Sequence, residues 1–145
     1  MATPEQEIIW LAGLLEGEGC FYMDRQLSRS GSGEYTRCPK ISVGMIDQDV
    51  IAHAARLFGT KVHAAKPYRE DKRIYTASAY GLKAVWLMRA VLPWMGARRS
   101  EKISEVLKAH QDYIKNYPGA HKNRKVRPWS IDDSGLEVFG IEPVW

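Results

Sequence analysis

The sequence is poor in cysteine and has no long apolar run. Its two cysteines, Cys20 and Cys38, are too few for a disulfide framework or a structural zinc site. The four histidines do not show the spacing of a histidine metal site. No stretch reaches the roughly 18 apolar residues of a membrane-spanning helix, and the N-terminus lacks the features of a signal peptide. These absences lead us to expect a cytoplasmic protein with no membrane partner.

Basic residues are in moderate excess and are unevenly placed. The chain of 145 residues is 45% hydrophobic and 26% charged, which is the composition of one globular domain. Its 21 lysines and arginines exceed its 17 acidic residues, and they concentrate in segments 66–73, 97–102 and 121–127. Tyrosine and tryptophan lie close to these segments. This distribution is typical of a phosphate-binding surface and makes nucleic acid a candidate partner, whereas the modest net excess is also compatible with solubility alone.

The first predicted element is a helix that is apolar on nearly every side. Thr3 and Gln6 form a capping-box pattern, with Pro4 at the first helical position. Such a helix must be buried on most sides, which suggests a place between its own core and a second chain. Gly13 and Gly17 lie four residues apart on one face and would let another backbone approach closely, although each costs about 1 kcal/mol relative to alanine.

The remaining pattern predicts an α+β fold. Alternating residues indicate a strand at 20–27 and a returning strand at 36–45, in which Pro39 favours an edge or bulge position. Asp47 and Gly59 are the predicted start and stop of the next helix. The later elements are a second hairpin and two helices, at 60–65, 73–80, 81–92 and 97–115. The order α-β-β-α-β-β-α-α predicts a small antiparallel sheet with helices on one face.

Two carboxylates, Glu16 and Glu18, end the first helix, with Gly17 between them. The C-terminus of a helix already carries partial negative charge, so two acids there require a nearby cation. Carboxylate and backbone carbonyl oxygens are hard ligands that suit Mg²⁺. One carboxylate per chain makes a weak metal site, whereas two chains meeting through their glycine-faced helices would bring two carboxylates together.

The segment LAGLLEGEG, at 11–19, resembles the signature of the LAGLIDADG homing endonucleases. It agrees with that signature at Leu11, Ala12, Gly13, Leu14 and Gly19, and Glu replaces Asp at both acidic positions. The predicted α-β-β-α-β-β-α order is also that family's, and a single copy of the motif is similar to the members that work as homodimers. The resemblance implies an endonuclease domain over 1–116 with a saddle-shaped DNA-binding sheet. Residues 117–145 are a C-terminal extension whose role is unassigned.

The resemblance implies roles for individual residues near the motif. Glu18 matches the acid that binds the divalent metal in the family, with the Gly17 carbonyl beside it. Arg98, or Arg99 in the alternative register, matches the basic residue that supports the scissile phosphate. The implied cofactor is Mg²⁺ or another divalent cation such as Mn²⁺. The implied dimer interface consists of Leu11, Ala12, Gly13, Leu14, Glu16 and Gly17.

The resemblance also implies a DNA-binding surface on the two hairpins. By alternation, the outward residues of the first hairpin are Tyr22, Asp24, Gln26, Ser28, Thr36, Cys38, Lys40 and Ser42, with Arg29 at its tip. The second hairpin adds Lys66, Arg69, Lys72, Arg73 and Tyr75. The alternative for the second tip is an ordinary solvated charged turn, and the alternative for the Cys38 thiol is a packing role.

One position departs from the family pattern. Two residues before Asp47 the family often has a Gln that positions a water, and this sequence has Met45, whose thioether cannot donate a hydrogen bond. The departure favours a second interpretation, in which the chain is a DNA-binding regulator or an intron RNA maturase that cuts weakly or not at all. The first interpretation is a homodimeric, metal-dependent endonuclease acting on both strands of a long, near-palindromic double-stranded DNA site, in a bacterial or phage setting.

Overall fold

The computed structural model describes residues 2–27, 35–65 and 72–116, and there it confirms the predicted order of elements. The helices are α1 (Pro4–Glu18), α2 (Gln48–Phe58), α3 (Leu82–Val91) and α4 (Ala97–Asn116), and the strands are β1 (Gly19–Leu27), β2 (Tyr35–Met45), β3 (His63–Ala64) and β4 (Tyr75–Tyr80). A 3-10 turn, Leu92–Trp94, follows α3. The predicted extension 117–145 lies outside the described residues, as do the tips of both hairpins.

The strands form one antiparallel sheet in the order β1-β2-β4-β3. The register aligns Phe21 with Ile41 and Ile41 with Ala79, and all three side chains are buried under the helices. The opposite face, which we call the outer face, carries Cys20, Tyr22, Asp24, Gln26, Thr36, Cys38, Lys40, Ser42, Thr76, Ser78 and Tyr80. The predicted α+β fold with helices on one face is therefore confirmed.

Local sequence signals set the ends of two helices that pack on this sheet. At the start of α1, the Thr3 hydroxyl accepts from the Gln6 N–H at 3.3 Å, and the Gln6 side chain accepts from the Thr3 N–H at 2.8 Å. α2 ends, as predicted, at Gly59, whose φ of 65° is left-handed. The buried side of α1 consists of Ile8, Leu11, Ala12 and Leu15.

β2 lies between β1 and β4 in the sheet, but its pairing with β4 begins only at Lys40, so the part of β2 that contains Pro39 is an edge on that side, as predicted. In an antiparallel strand the N and C=O of one residue point to the same neighbour. The Pro39 carbonyl accepts from the Gly81 N–H at 2.9 Å, so the N of Pro39 also points to the β4 side. β4 ends at Tyr80. The missing N–H of the proline therefore costs no ladder bond with β1 and falls where β4 has stopped.

The second hairpin is shorter than predicted. β3 has only two residues, both exposed, which align with Thr76 and Tyr75 at the edge of the sheet. A short, exposed edge strand offers little unpaired backbone to another sheet. None of the helices within the described ranges is long and apolar enough to cross a membrane.

Candidate catalytic turn and nucleic-acid interface

The end of α1 and the start of β1, residues 16–19, form what we call the acidic turn, and an arginine of α4 holds it. The Arg99 guanidinium donates to the carbonyl oxygens of Glu16 at 3.1 Å and Gly17 at 3.5 Å, and also to that of Gly19. Carbonyls at a helix C-terminus lack intrahelical donors and carry partial negative charge. Arg99 therefore provides, within one chain, a cation of the kind that the acidic end of α1 requires.

Glu16 makes the reciprocal contact with the start of α4. Its carboxylate accepts from the Gly96 N–H at 3.1 Å, just where the Ser100 N–H donates to the Gly96 carbonyl at 2.9 Å and the helix begins. A carboxylate at the positive end of a helix dipole is favourable. The fit is close, since a Cβ added at Gly96 would lie 2.8 Å from Glu16 Oε1. The Glu16 carboxylate is thus engaged inside its own chain.

Glu18, within the acidic turn, and Arg98, at the start of α4, are both exposed. Glu18 ends α1, and Arg98 lies in the first turn of α4 next to Arg99. The Arg99 guanidinium is engaged by three carbonyl oxygens, whereas the side chain of Arg98 is exposed.

The oxygen donors of the acidic turn fit Mg²⁺ in chemistry but are too few in one chain. The Glu18 carboxylate and the Gly17 carbonyl are hard ligands of the kind that Mg²⁺ prefers. Across the described residues, no three His, Cys, Asp or Glu side chains gather as a metal site. A single chain therefore offers only part of a ligand set.

One face of α1 is open beside the acidic turn. Ile9, Gly13 and Gly17 are spaced four residues apart and exposed, and we call them the glycine face. A Cβ added at either glycine would meet nothing within 4 Å. Leu11 and Ala12, in contrast, are 0% and 1% exposed. These two predicted interface residues are core residues of the single chain, and Ile9, which was not predicted, takes their place on the exposed face.

The outer face gathers most of the predicted DNA-binding residues that lie in the described ranges. Lys40 is central, with its Nζ 4.0 Å from Asp24 Oδ2. The same Nζ lies 5.4 Å from the ring centroid of Tyr22 and 4.8 Å from that of Tyr80. Gln26 on β1 aligns with Thr36 on β2 further along the same face. The outer face is therefore polar and carries both signs of charge.

Three outer-face residues of β4 were missed by sequence reasoning, namely Thr76, Ser78 and Tyr80. The Ser78 hydroxyl donates to the Ser42 hydroxyl at 3.4 Å, which joins β4 to the predicted surface of β2. These polar residues alternate with two fully buried alanines. That alternation was visible in the sequence and was the signal that could have found them.

Two predicted contacts are corrected by the structure. Tyr75 aligns with Met45, and both pack against the hydrophobic core, so Tyr75 lies on the helix side of the sheet. Cys38 is on the outer face by register but is only 7% exposed, and its thiol contacts the Pro39 carbonyl at 3.6 Å, so packing is its role. Lys72 and Arg73 are exposed, and the predicted residues Ser28, Arg29, Lys66 and Arg69 lie outside the described ranges.

Met45 fills an apolar position at the end of β2. Its side chain packs against the core, where it offers no hydrogen-bond donor. Asp47 is the N-cap of α2, as predicted, yet its side chain makes no capping hydrogen bond. An apolar contact therefore occupies the position at which the family that the motif at 11–19 resembles often has a water-positioning Gln.

Comparison with solved structures identifies this architecture, although no protein-family profile and no curated sequence matches the chain. The homing endonuclease I-CvuI in complex with the I-CreI target gives a TM-score of 0.58 at 15% identity, covering 97% of this chain and 98% of that one. The group I intron-encoded homing endonuclease I-CeuI, complexed with DNA, gives 0.59 at 14% identity, covering 80% and 58%. The LAGLIDADG homing endonuclease I-LtrWI, bound to target DNA, gives 0.55 at 12% identity, covering 77% and 39%.

The chain therefore has the fold of the LAGLIDADG homing endonucleases. At these identities the likeness is one of backbone architecture. It agrees with the fold that the motif at 11–19 implied.

Proposed function

We propose that the protein is a homodimeric, divalent-metal-dependent endonuclease that cuts both strands of a long, near-palindromic double-stranded DNA site. The observation that carries the proposal is the place of Glu18 and the Gly17 carbonyl directly beside the open glycine face. Two chains meeting through this face would bring two Glu18 carboxylates together near a twofold axis. The proposed enzyme acts in the cytoplasm, and its compact length fits a bacterial or phage setting.

The energetic cost of the glycines supports the dimer. A glycine inside a helix is less favourable than alanine by about 1 kcal/mol. Neither Gly13 nor Gly17 is needed by its own chain, since a Cβ at either position would meet open space. Close approach of a second backbone would explain why both positions are glycine. Ile9, which is 42% exposed, adds apolar area to the same face.

The donor chemistry of the acidic turn supports the metal. In the dimer, paired Glu18 carboxylates and Gly17 carbonyls complete the oxygen-rich site that one chain lacks. Mg²⁺ or Mn²⁺ bound there would supply Lewis-acid stabilisation of the charge that develops on the scissile phosphate. Arg99 orients the carbonyls of the turn, and the exposed Arg98 would balance charge on the phosphate.

The size and polarity of the outer face support double-stranded DNA as the substrate. β1 has nine residues, which at about 3.3 Å each span roughly 30 Å, or about nine base pairs in the major groove. Two such sheets related by a twofold axis would cover on the order of two helical turns. The solved relatives I-CvuI and I-CeuI were likewise determined in complex with DNA.

Cleavage is tested by incubating the protein with Mg²⁺ and genomic DNA from the source organism and sequencing the new ends. We expect recurrent paired ends at one long site. Glu18→Gln should reduce them at least about 10²-fold, because the metal loses its carboxylate. Glu105→Gln is the matched control, since that side chain is 60% exposed on α4 and outside the acidic turn. If the wild type binds DNA but produces no paired ends, the proposal that the protein is an endonuclease is contradicted.

The second candidate is a protein of the same fold that binds nucleic acid without cutting, either a DNA-binding regulator or an intron RNA maturase. Met45 favours it, because an apolar side chain packed on the core cannot orient a water near a phosphate. This candidate predicts that Glu18→Gln leaves binding unchanged and that no cleavage is present to be lost. Competition between duplex DNA and structured RNA for binding to the protein would distinguish a DNA-binding regulator from an RNA maturase.

A further inference from the structure

The centre of the outer face is a cluster of four side chains from three strands, namely Tyr22, Asp24, Lys40 and Tyr80. Lys40 on β2 aligns with Tyr22 on β1 and with Tyr80 on β4, so the lysine stands between two tyrosines. Its Nζ lies 5.4 Å from one ring centroid and 4.8 Å from the other. Asp24, one pleat further along β1, approaches the same Nζ at 4.0 Å. The lysine therefore has a partner on each side.

These contacts fix Lys40 in place. Only 17% of its side chain is exposed, compared with 30% for Asp24. Burial lowers the pKa of the Lys40 ammonium, but Tyr80 and Tyr22 raise it more, so the pKa lies above its ordinary value and the group stays charged. A cation between two aromatic rings is also stabilised by their negative faces. Lys40 thus differs from an extended surface lysine, which reaches for phosphates as a mobile point charge.

The Asp24 carboxylate is partly exposed, with 30% of its side chain accessible on the outer face. An ionised carboxylate has two oxygens and no donor, and the contact with Lys40 uses Oδ2. In the major groove, cytosine presents an amino donor, whereas guanine and thymine present carbonyl acceptors that a carboxylate repels. Adenine presents its amino group next to the N7 acceptor, and N7 also repels a carboxylate. The neighbouring ammonium offsets the repulsion between Asp24 and the phosphates.

We propose that this cluster is a base-reading site in which Asp24 accepts a hydrogen bond from the amino group of cytosine and Lys40 is the positioning residue that holds Asp24. The inference rests on the proposed binding of DNA by the outer face and adds the base that is read. Because the dimer is symmetric, the cytosine should occur once in each half-site.

The test is selection of bound duplexes from a random DNA library by the full chain carrying Glu18→Gln, which prevents cutting. The parent should enrich cytosine at one symmetric pair of positions. Asp24→Asn should shift the preference there to adenine, which an amide reads through N6 and N7, with the ratio of the two bases changing about tenfold and the other positions unaffected. Asp49→Asn, in the exposed first turn of α2, is the matched control and should leave every position unchanged.

Lys40→Met tests the positioning role, with thermal unfolding showing that each variant is folded. It should weaken the cytosine preference although Asp24 is intact. The inference would be overturned if the parent selected guanine at that position and this preference were lost in Lys40→Met but kept in Asp24→Asn. Lys40 would then be the residue that reads the base. An unchanged base preference in Asp24→Asn would overturn it as well. A parent that enriches no duplex at all would instead reject DNA binding, and with it the proposed function.

Discussion

Two pairs of glycines near the acidic turn have opposite surroundings. A Cβ added at Gly19 would lie 2.7 Å from the Leu15 carbonyl oxygen, and one added at Gly96 would lie 2.8 Å from a Glu16 carboxylate oxygen. At Gly13 and Gly17 an added Cβ would meet nothing within 4 Å. Gly19 leaves no room for a side chain beside the Leu15 backbone, and a side chain at Gly96 would displace the Glu16 carboxylate, whereas Gly13 and Gly17 are not crowded by their own chain.

The difference separates what the fold needs from what function needs. Residues that are crowded in one chain report on the folding of that chain, so changing them should alter stability at any protein concentration. In the proposed dimer, Gly13 and Gly17, which are open in one chain, face the second chain, so changing them should alter association and leave the monomer folded. Substitutions at the two pairs of glycines therefore test whether one pair affects folding and the other affects association.

Gly13→Leu should have the largest effect, and it should appear in association. The open space around Gly13 accepts a larger side chain in the monomer, but two helices meeting there would be forced apart. We expect the dimer dissociation constant to rise at least about 10²-fold, equivalent to about 3 kcal/mol. Sedimentation velocity over a concentration series measures it, with thermal unfolding of the dilute monomer as the control. An unchanged dissociation constant would show that the glycine face does not mediate a dimer.

Gly19→Ala should have the next largest effect, and it should appear in folding. The added Cβ would approach the Leu15 backbone at 2.7 Å and its Cα at 2.9 Å, neither of which can swing aside. We expect a loss of about 2 kcal/mol in the free energy of unfolding, measured by urea denaturation. The loss should be the same at low and high protein concentration. A loss seen only at high concentration would assign Gly19 to the interface and break the comparison.

Gly96→Ala should have the smallest effect, because the crowded atom is the end of a flexible side chain. Glu16 can rotate away from an added Cβ, at the expense of its hydrogen bond to the residue 96 N–H. We expect a loss of about 1 kcal/mol by the same denaturation measurement. In a Glu16→Ala background, Gly96→Ala should lower the free energy of unfolding clearly less, because the Glu16 side chain that it crowds is absent. Equal losses in the two backgrounds would show that the contact with Glu16 is not the cause.

The fold followed from local patterns that a single sequence carries. The capping box at Thr3, the stop at Gly59 and the change from helical to alternating periodicity after α1 were each set by residues a few positions apart. Such signals do not depend on the rest of the chain, which is why the order of elements was predictable.

The site was less predictable, for two physical reasons. A helix that is apolar on nearly every side does not reveal which face meets the core, so the burial of Leu11 and Ala12, which the resemblance implied as interface residues, and the exposure of Ile9 could not be predicted. Contacts between distant segments leave no periodic trace, so the hydrogen bonds of Arg99 with the carbonyls of the acidic turn could not be found. Tyr75 was misplaced for a simpler reason, since a shift of one residue in a strand reverses its face.

The contact between Arg99 and the acidic turn also fixes an order of events during synthesis. The guanidinium and the Glu16 carbonyl that it binds are 83 residues apart in sequence, whereas the last strand within the described residues ends at Tyr80. A chain emerging from the ribosome N-terminus first therefore releases β1 to β4 before the arginine that holds the turn. Closing so distant a contact is also slow relative to hairpin formation. A growing or truncated chain thus carries the motif without the assembled turn, and in the proposed enzyme the cutting centre would be completed only after the outer face.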